Sequence, residues 1–111
     1  MEFELQNLTK TCNETLILAT LKSGDKHGYQ LAVELEEKSN GYFRFKHGTL
    51  YPILHKLEKD GLIRGQWADD SPKRKRKQYH LTARGARHLD RVRTEWQTFC
   101  RNLTAVTEGD R

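Results

Sequence analysis

Two β-prone segments, residues 63–68 and 75–81, bracket the turn Asp69-Asp70-Ser71-Pro72 in a chain whose other apolar residues recur at helical spacings. A hairpin this short cannot bury a face by itself. It must lean on helices, which limits the architectures open to the chain. With the turn centred near Pro72, Ile63 stands opposite Leu81, Gly65 opposite Tyr79 and Trp67 opposite Lys77. That register pairs the apolar ends and lays Tyr79 across Gly65.

Helices account for the rest. Over residues 4–21, Leu8, Cys12, Leu16 and Ala19, with Leu5, Ile17, Leu18 and Leu21, fall at helical intervals, and Ser23-Gly24-Asp25 stops the pattern. A second helix starts near Lys26 or His27, presents Tyr29, Leu31, Ala32 and Leu35, and ends at Ser39-Asn40-Gly41, where Asn or Gly takes the left-handed capping conformation. Tyr42-Phe43-Arg44-Phe45 is too short for a helix and is either a small edge strand or a tight connection. In residues 46–60, Leu50, Ile53, Leu54 and Leu57 occupy i, i+3, i+4 and i+7, with Gly61 as the stop. Pro52 lies near the start of this third helix. Within the first turn it removes no hydrogen bond; deeper it costs about 3 kcal/mol and bends the axis, and the spacing leaves both cases open. Thr82 caps a long final helix in which Leu89, Val92, Trp96, Phe99, Leu103 and Val106 alternate spacings of three and four.

Three helices, a two-stranded hairpin and a long last helix predict a mainly α winged helix-turn-helix, whose third helix enters a DNA major groove while the wing touches flanking backbone. Residues 1–81 form the DNA-binding region. Residues 82–107 form a dimerisation helix, because its apolar seam exceeds what a small chain covers alone. Residues 108–111 are a polar, frayed tail.

Charge placement supports a nucleic-acid partner. The 111 residues suit one domain, and 20 Lys plus Arg against 15 Asp plus Glu leave a net charge of +5. Five consecutive cations, Lys73, Arg74, Lys75, Arg76 and Lys77, stand at the hairpin tip. Such a density repels itself unless it is solvated or facing phosphates. Opposite the apolar stripe, the third helix shows Thr49, Tyr51, Pro52, His55, Lys56 and Lys59. Thr49, His55 and Lys56 are the candidates for base edges, and Tyr51 and Lys59 for phosphates; Tyr51 equally suits half-buried packing.

Other chemistries find little support. The most apolar run, residues 16–21, is far shorter than the roughly 20 residues of a membrane span. The N-terminus has no basic region followed by an apolar one, so a cytoplasmic chain is expected. His27, His47, His55, His80 and His88 form no paired metal spacing and there is no glycine-rich phosphate loop, so neither catalysis, metal nor cofactor is expected. Cys12 and Cys100 are far apart in sequence, which predicts two buried, reduced thiols.

Gly28-Tyr29, the stretch GTLYPILHKLEKDGLI from Gly48 to Ile63, and KRKQYHLTARG from Lys75 to Gly85 resemble the PadR family of bacterial transcriptional regulators across nearly the whole chain. GTLYP is a specific motif; LTxxG, here Leu81 to Gly85, recurs in many winged helices. The short C-terminal region resembles the smaller PadR subfamily, whose dimers are made by the first and last helices. The resemblance implies a homodimeric repressor. The paired tyrosines of the family's second wing strand appear here as Gln78-Tyr79.

A two-fold dimer would bind double-stranded DNA at a pseudo-palindromic operator. Its interface would use Leu89, Val92, Trp96, Phe99 and Leu103. Trp96, midway along the seam, is either a packing residue or one wall of a gap that takes up a planar aromatic effector, as some members of the smaller PadR subfamily do with planar drugs. The competing function is a winged helix that docks an acidic protein partner through its basic wing.

Overall fold

The computed structural model describes residues 2–68 and 76–109. Its elements are α1 (Glu2–Leu21), β1 (Lys26–His27), α2 (Gly28–Lys38), α3 (His47–Lys59), β2 (Ile63–Ala68), β3 (Arg76–Leu81) and α4 (Ala83–Thr107). Each helix ends where local chemistry stops it. Asn40 and Gly41 take positive φ after α2, and the Gly41 N–H donates to the Glu36 carbonyl at 2.7 Å. After α3, Gly61 takes φ +78°, and the Leu62 and Gly61 N–H groups close back onto the Leu57 and Glu58 carbonyls. Thr82 Oγ1 accepts from the Gly85 N–H at 3.0 Å, so the expected cap of α4 is in place.

The hairpin pairs in the register expected from sequence: Ile63 with Leu81, Gly65 with Tyr79, Trp67 with Lys77. A third strand joins it. β1 adds antiparallel to β3, Lys26 opposite Tyr79 and His27 opposite Gln78, making a sheet of order β1-β3-β2. Two residues carry no periodicity, so nothing in the sequence marks β1. The segment between α2 and α3 is a connection rather than a strand, with Phe45 packed against the core.

One apolar core holds these elements together: Ile17, Leu18 and Leu21 of α1, Leu31 of α2, Leu50, Leu54 and Leu57 of α3, Leu62, Ile63 and Tyr79 at the hairpin base, and Leu89 of α4. The i, i+4, i+7 stripe of α3 thus faces inward and leaves the opposite face of that helix outward. Pro52 is the sixth residue of α3, just past the first turn. Its missing N–H leaves the Gly48 carbonyl without a helical donor, and Gly48 is exposed, so water can take that place.

α4 enters the core by close approach. A Cβ on Gly85 would overlap the Leu62 carbonyl oxygen, so only glycine lets the helix start against the hairpin base. α1 packs along α4, with Lys22 Nζ 4.0 Å from Asp90 Oδ1. Beyond Leu89 no residue of α4 is buried, and the fold is elongated, 63 × 28 × 22 Å. No helix among the described residues is long and apolar enough to cross a membrane.

Candidate nucleic-acid interface

α3 presents Thr49, His55 and Lys59 as exposed side chains on the face away from the core. Tyr51 is on the same helix but leans inward: a Cβ on Gly28 would lie 2.8 Å from its phenolic oxygen, so its ring covers the start of α2. At 38% exposed it packs and remains within reach of solvent at once. Lys56, expected at base edges, is exposed on the same helix and is also engaged by its own chain. Its ammonium donates to Glu14 Oε2 of α1 at 2.8 Å and lies 3.5 Å from Asp60 Oδ2. The Glu14 hydrogen bond raises the Lys56 pKa above its ordinary value, so the cation is already matched.

Lys77 differs from expectation. Instead of joining the cations at the tip, it turns back to α3 and donates to Glu58 Oε1 at 2.8 Å. The other carboxylate oxygen of Glu58 accepts from the Gly65 N–H at 3.3 Å. The Lys77 ammonium lies 5.6 Å from the ring centroids of both Trp67 and Tyr79, in cation–π range. Its stem crosses Gly65, where a Cβ would overlap Lys77 Cε, so Lys77 fills the space expected for Tyr79. The hydrogen bond from Lys77 holds the Glu58 carboxyl below its ordinary range, and the same bond pushes Lys77 up. Burial raises the Tyr79 phenol and keeps it protonated.

This set locks the wing to the helix beside it, and Glu58 is the residue that sequence reasoning missed. Its only sequence signal is an acid on a helix that precedes a cationic wing. The expected wing cations Lys73, Arg74 and Lys75 lie outside the described residues, as does the side chain of Arg76.

The expected seam on α4 divides in two. Leu89 is 1% exposed and belongs to the core of its own chain, so it is corrected from interface to core residue. Farther along, Phe99 is 53%, Leu103 49% and Val106 80% exposed, while Val92 and Trp96 are half-buried. Trp96 meets Phe99 edge to face at 5.7 Å and 82°. These two rings and Glu95 line an open hollow of about 310 Å³. At the other end of α4, Arg84, Arg87, His88 and Arg91 line a second hollow with Asp60 and Leu62, a basic cluster that sequence reasoning also missed. Among the described residues no group of three His, Cys, Asp or Glu is placed to hold a metal ion. Both thiols are free, Cys12 half-buried and Cys100 exposed, which corrects the expectation of two buried thiols.

Comparison with known proteins converges on one family. Residues 17–91 match the family described as transcriptional regulator PadR-like. A PadR family transcriptional regulator from Eggerthella lenta superposes with a TM-score of 0.81 at 27% identity, over 96% of this chain and 91% of that one. A Lysinibacillus sphaericus protein known as uncharacterized protein X is 32% identical over 96 residues, 86% of this chain and 88% of its own length. The PadR of Bacillus subtilis, solved in complex with operator DNA, superposes with a TM-score of 0.65 at 29% identity. That match covers 71% of this chain but only 44% of the longer Bacillus protein. Helix-wing architecture, the α3 motif and a family match over most of the sequence agree: this winged-helix chain belongs to the PadR-like family of transcriptional regulators.

Proposed function

We propose that the chain is a homodimeric repressor that binds a pseudo-palindromic operator in double-stranded DNA, α3 reading base edges and the wing holding backbone phosphates. One observation carries the reading: the Glu58–Lys77 bond makes α3 and the wing a single surface, with Thr49, His55 and Lys59 exposed beside it. Thr49 and His55 suit base edges, and Lys59, Tyr51 and the tip cations Lys73, Arg74, Lys75 and Arg76 suit phosphates. The Bacillus subtilis relative, a negative transcriptional regulator by name, supports repression.

The half-exposed end of α4 supports the dimer, because Phe99, Leu103 and Val106 are apolar and uncovered by the described residues of their own chain. Two recognition helices related by that axis reach successive major grooves, about 34 Å apart. A footprint on the DNA just upstream of the chain's coding region tests this. Two protected half-sites related by a dyad agree with the reading; a single asymmetric site contradicts it.

The hollow beside Trp96 supports an effector site, since a second copy would turn it into a slot between aromatic walls suited to a planar aromatic compound. In a Trp67→Phe background Trp96 is the sole indole. Quenching of its fluorescence by planar aromatic compounds, lost in Trp96→Ala while the dimer persists, supports the site. Dissociation of Trp96→Ala, with no quenching of the parent, makes Trp96 a packing residue.

A further inference from the structure

Three arginines open α4 with no acid to answer them. Arg84, Arg87 and Arg91 are exposed and His88 is half-buried. At about 100° per residue these four side chains leave the helix within an arc of about 100°, and the arginines follow one another turn by turn over about 10 Å. Among the described residues none of the three arginines has a carboxylate partner. The Arg91 guanidinium donates instead to His88 Nδ1 at 3.0 Å, a neutral acceptor that leaves its charge unmatched. With Asp60 and Leu62 they surround a hollow of about 590 Å³. Asp60, the acid at its edge, lies 3.5 Å from the Lys56 ammonium and is matched there.

Such a ridge is costly in isolation. Like charges one turn apart repel, and cations in the first turns of a helix oppose its dipole. Thr82 already caps α4, so it is the guanidinium charge and not the helix end that lacks a partner.

Its place in the fold says which kind of anion it meets. In the DNA reading, the start of α3 meets base edges and the wing tip meets phosphates. The ridge stands at the other end of both: α3 runs about 20 Å from His47 to its close, and β3 about 20 Å from Arg76 to Leu81. Glu58, which holds the wing, and Asp60, beside the hollow, leave α3 about 160° apart, on opposite flanks. A duplex held by α3 and the wing tip leaves the ridge open to a second partner.

We propose that Arg84, Arg87 and Arg91 dock an acidic protein segment whose Asp or Glu side chains recur at helical spacing, while the chain holds its DNA. One carboxylate per turn meets one arginine per turn, and each guanidinium can grip a carboxylate through two parallel hydrogen bonds. This docking takes from the DNA reading only the orientation of α3 and the wing.

The test uses the full chain and a fluorescein-labelled helical peptide with Glu at i, i+3, i+4 and i+7 and no basic residue. Anisotropy is followed at low salt, first alone and then with a saturating unlabelled duplex from the DNA just upstream of the coding region. The wild type should bind the peptide in both conditions, more weakly as salt rises, and should ignore a counterpart with Gln for Glu. Arg84→Gln, Arg87→Gln and Arg91→Gln together should weaken peptide binding about tenfold, with native circular dichroism and unaltered duplex affinity. Replacing Lys73, Arg74, Lys75 and Arg76 with Ser should leave the peptide bound. Arg87→Glu alone, at an exposed position, repeats the measurement should the triple variant lose its fold. A peptide that does not bind, that the duplex displaces, or that binds the arginine variants as tightly as the wild type overturns the docking. So does a triple variant whose duplex binding weakens with a salt slope flattened by roughly 0.9 per arginine, which makes the ridge a phosphate contact. The first titration contains no DNA, so a chain that binds no duplex defeats the DNA reading while the peptide still judges the ridge.

Discussion

Lys77 Nζ lies 2.8 Å from Glu58 Oε1, so the second wing strand is bonded to α3 across the sheet edge rather than only through the chain that joins them. The pair is half-buried and flanked by Trp67 and Tyr79, which shields it from solvent more than an ordinary surface ion pair. Its partial exposure keeps its worth modest, about 1 kcal/mol. Glu58→Gln should lower the stability measured by urea unfolding by about that amount and speed amide exchange in β2 and β3. An unchanged exchange pattern would mean that the sheet alone holds the wing.

The same pair gives a pH signature. Lys77 lowers the Glu58 pKa below its ordinary 4.5 on folding, so this stabilisation is full above that value and fades as pH falls through the depressed one. Glu58 raises Lys77 above 10.5, so that part is full below 10.5 and is lost only as pH climbs through the raised value. Urea midpoints of wild type and Glu58→Gln should differ near neutral pH and converge as pH falls through the depressed Glu58 value. A gap that persists at low pH would remove the ion pair as its cause.

Two glycines should respond unequally to alanine. At Gly65 the obstacle is the flexible end of Lys77 with a Glu58 oxygen 3.0 Å away, so the side chains can yield at the expense of their bond. At Gly85 the obstacle is the Leu62 backbone itself. Gly65→Ala should cost about 1 kcal/mol, and Gly85→Ala about 3 kcal/mol or more, in chemical denaturation. Equal losses would contradict the tight seating of α4 on the hairpin base.

Leu89 and Leu103 separate folding from association. Leu89→Ala opens the core and should cost about 2–5 kcal/mol. Leu103→Glu puts a charge on a half-exposed position, so its monomer should stay folded. Sedimentation should find Leu103→Glu monomeric with native circular dichroism where the wild type is a dimer. A dimer that survives Leu103→Glu would move the interface elsewhere.

The hairpin register was legible because turn length and apolar ends fix the parity of pairing, and the Leu50, Leu54 and Leu57 stripe and the Thr82 cap followed from local rules. What was illegible has a common cause. Lys77 belongs to a cationic run in sequence, yet which cation turns inward depends on Gly65 opening space and Glu58 waiting 19 residues earlier. Leu89 shares its spacing with Phe99 and Leu103, and periodicity is the same whether a helix face is covered by its own chain or by a second copy.

The claim that the wing and α3 act together on DNA is most directly tested by the salt dependence of binding to a duplex from the DNA just upstream of the coding region. The wild type should bind with a steep fall of log K against log salt, and replacing Lys73, Arg74, Lys75 and Arg76 with Ser should flatten that slope by roughly 0.9 for each phosphate no longer neutralised. Lys77→Ser should weaken binding with little change in slope, because its charge is already matched by Glu58. A wild type whose binding is insensitive to salt, or a four-fold wing variant with an unaltered slope, would contradict the account.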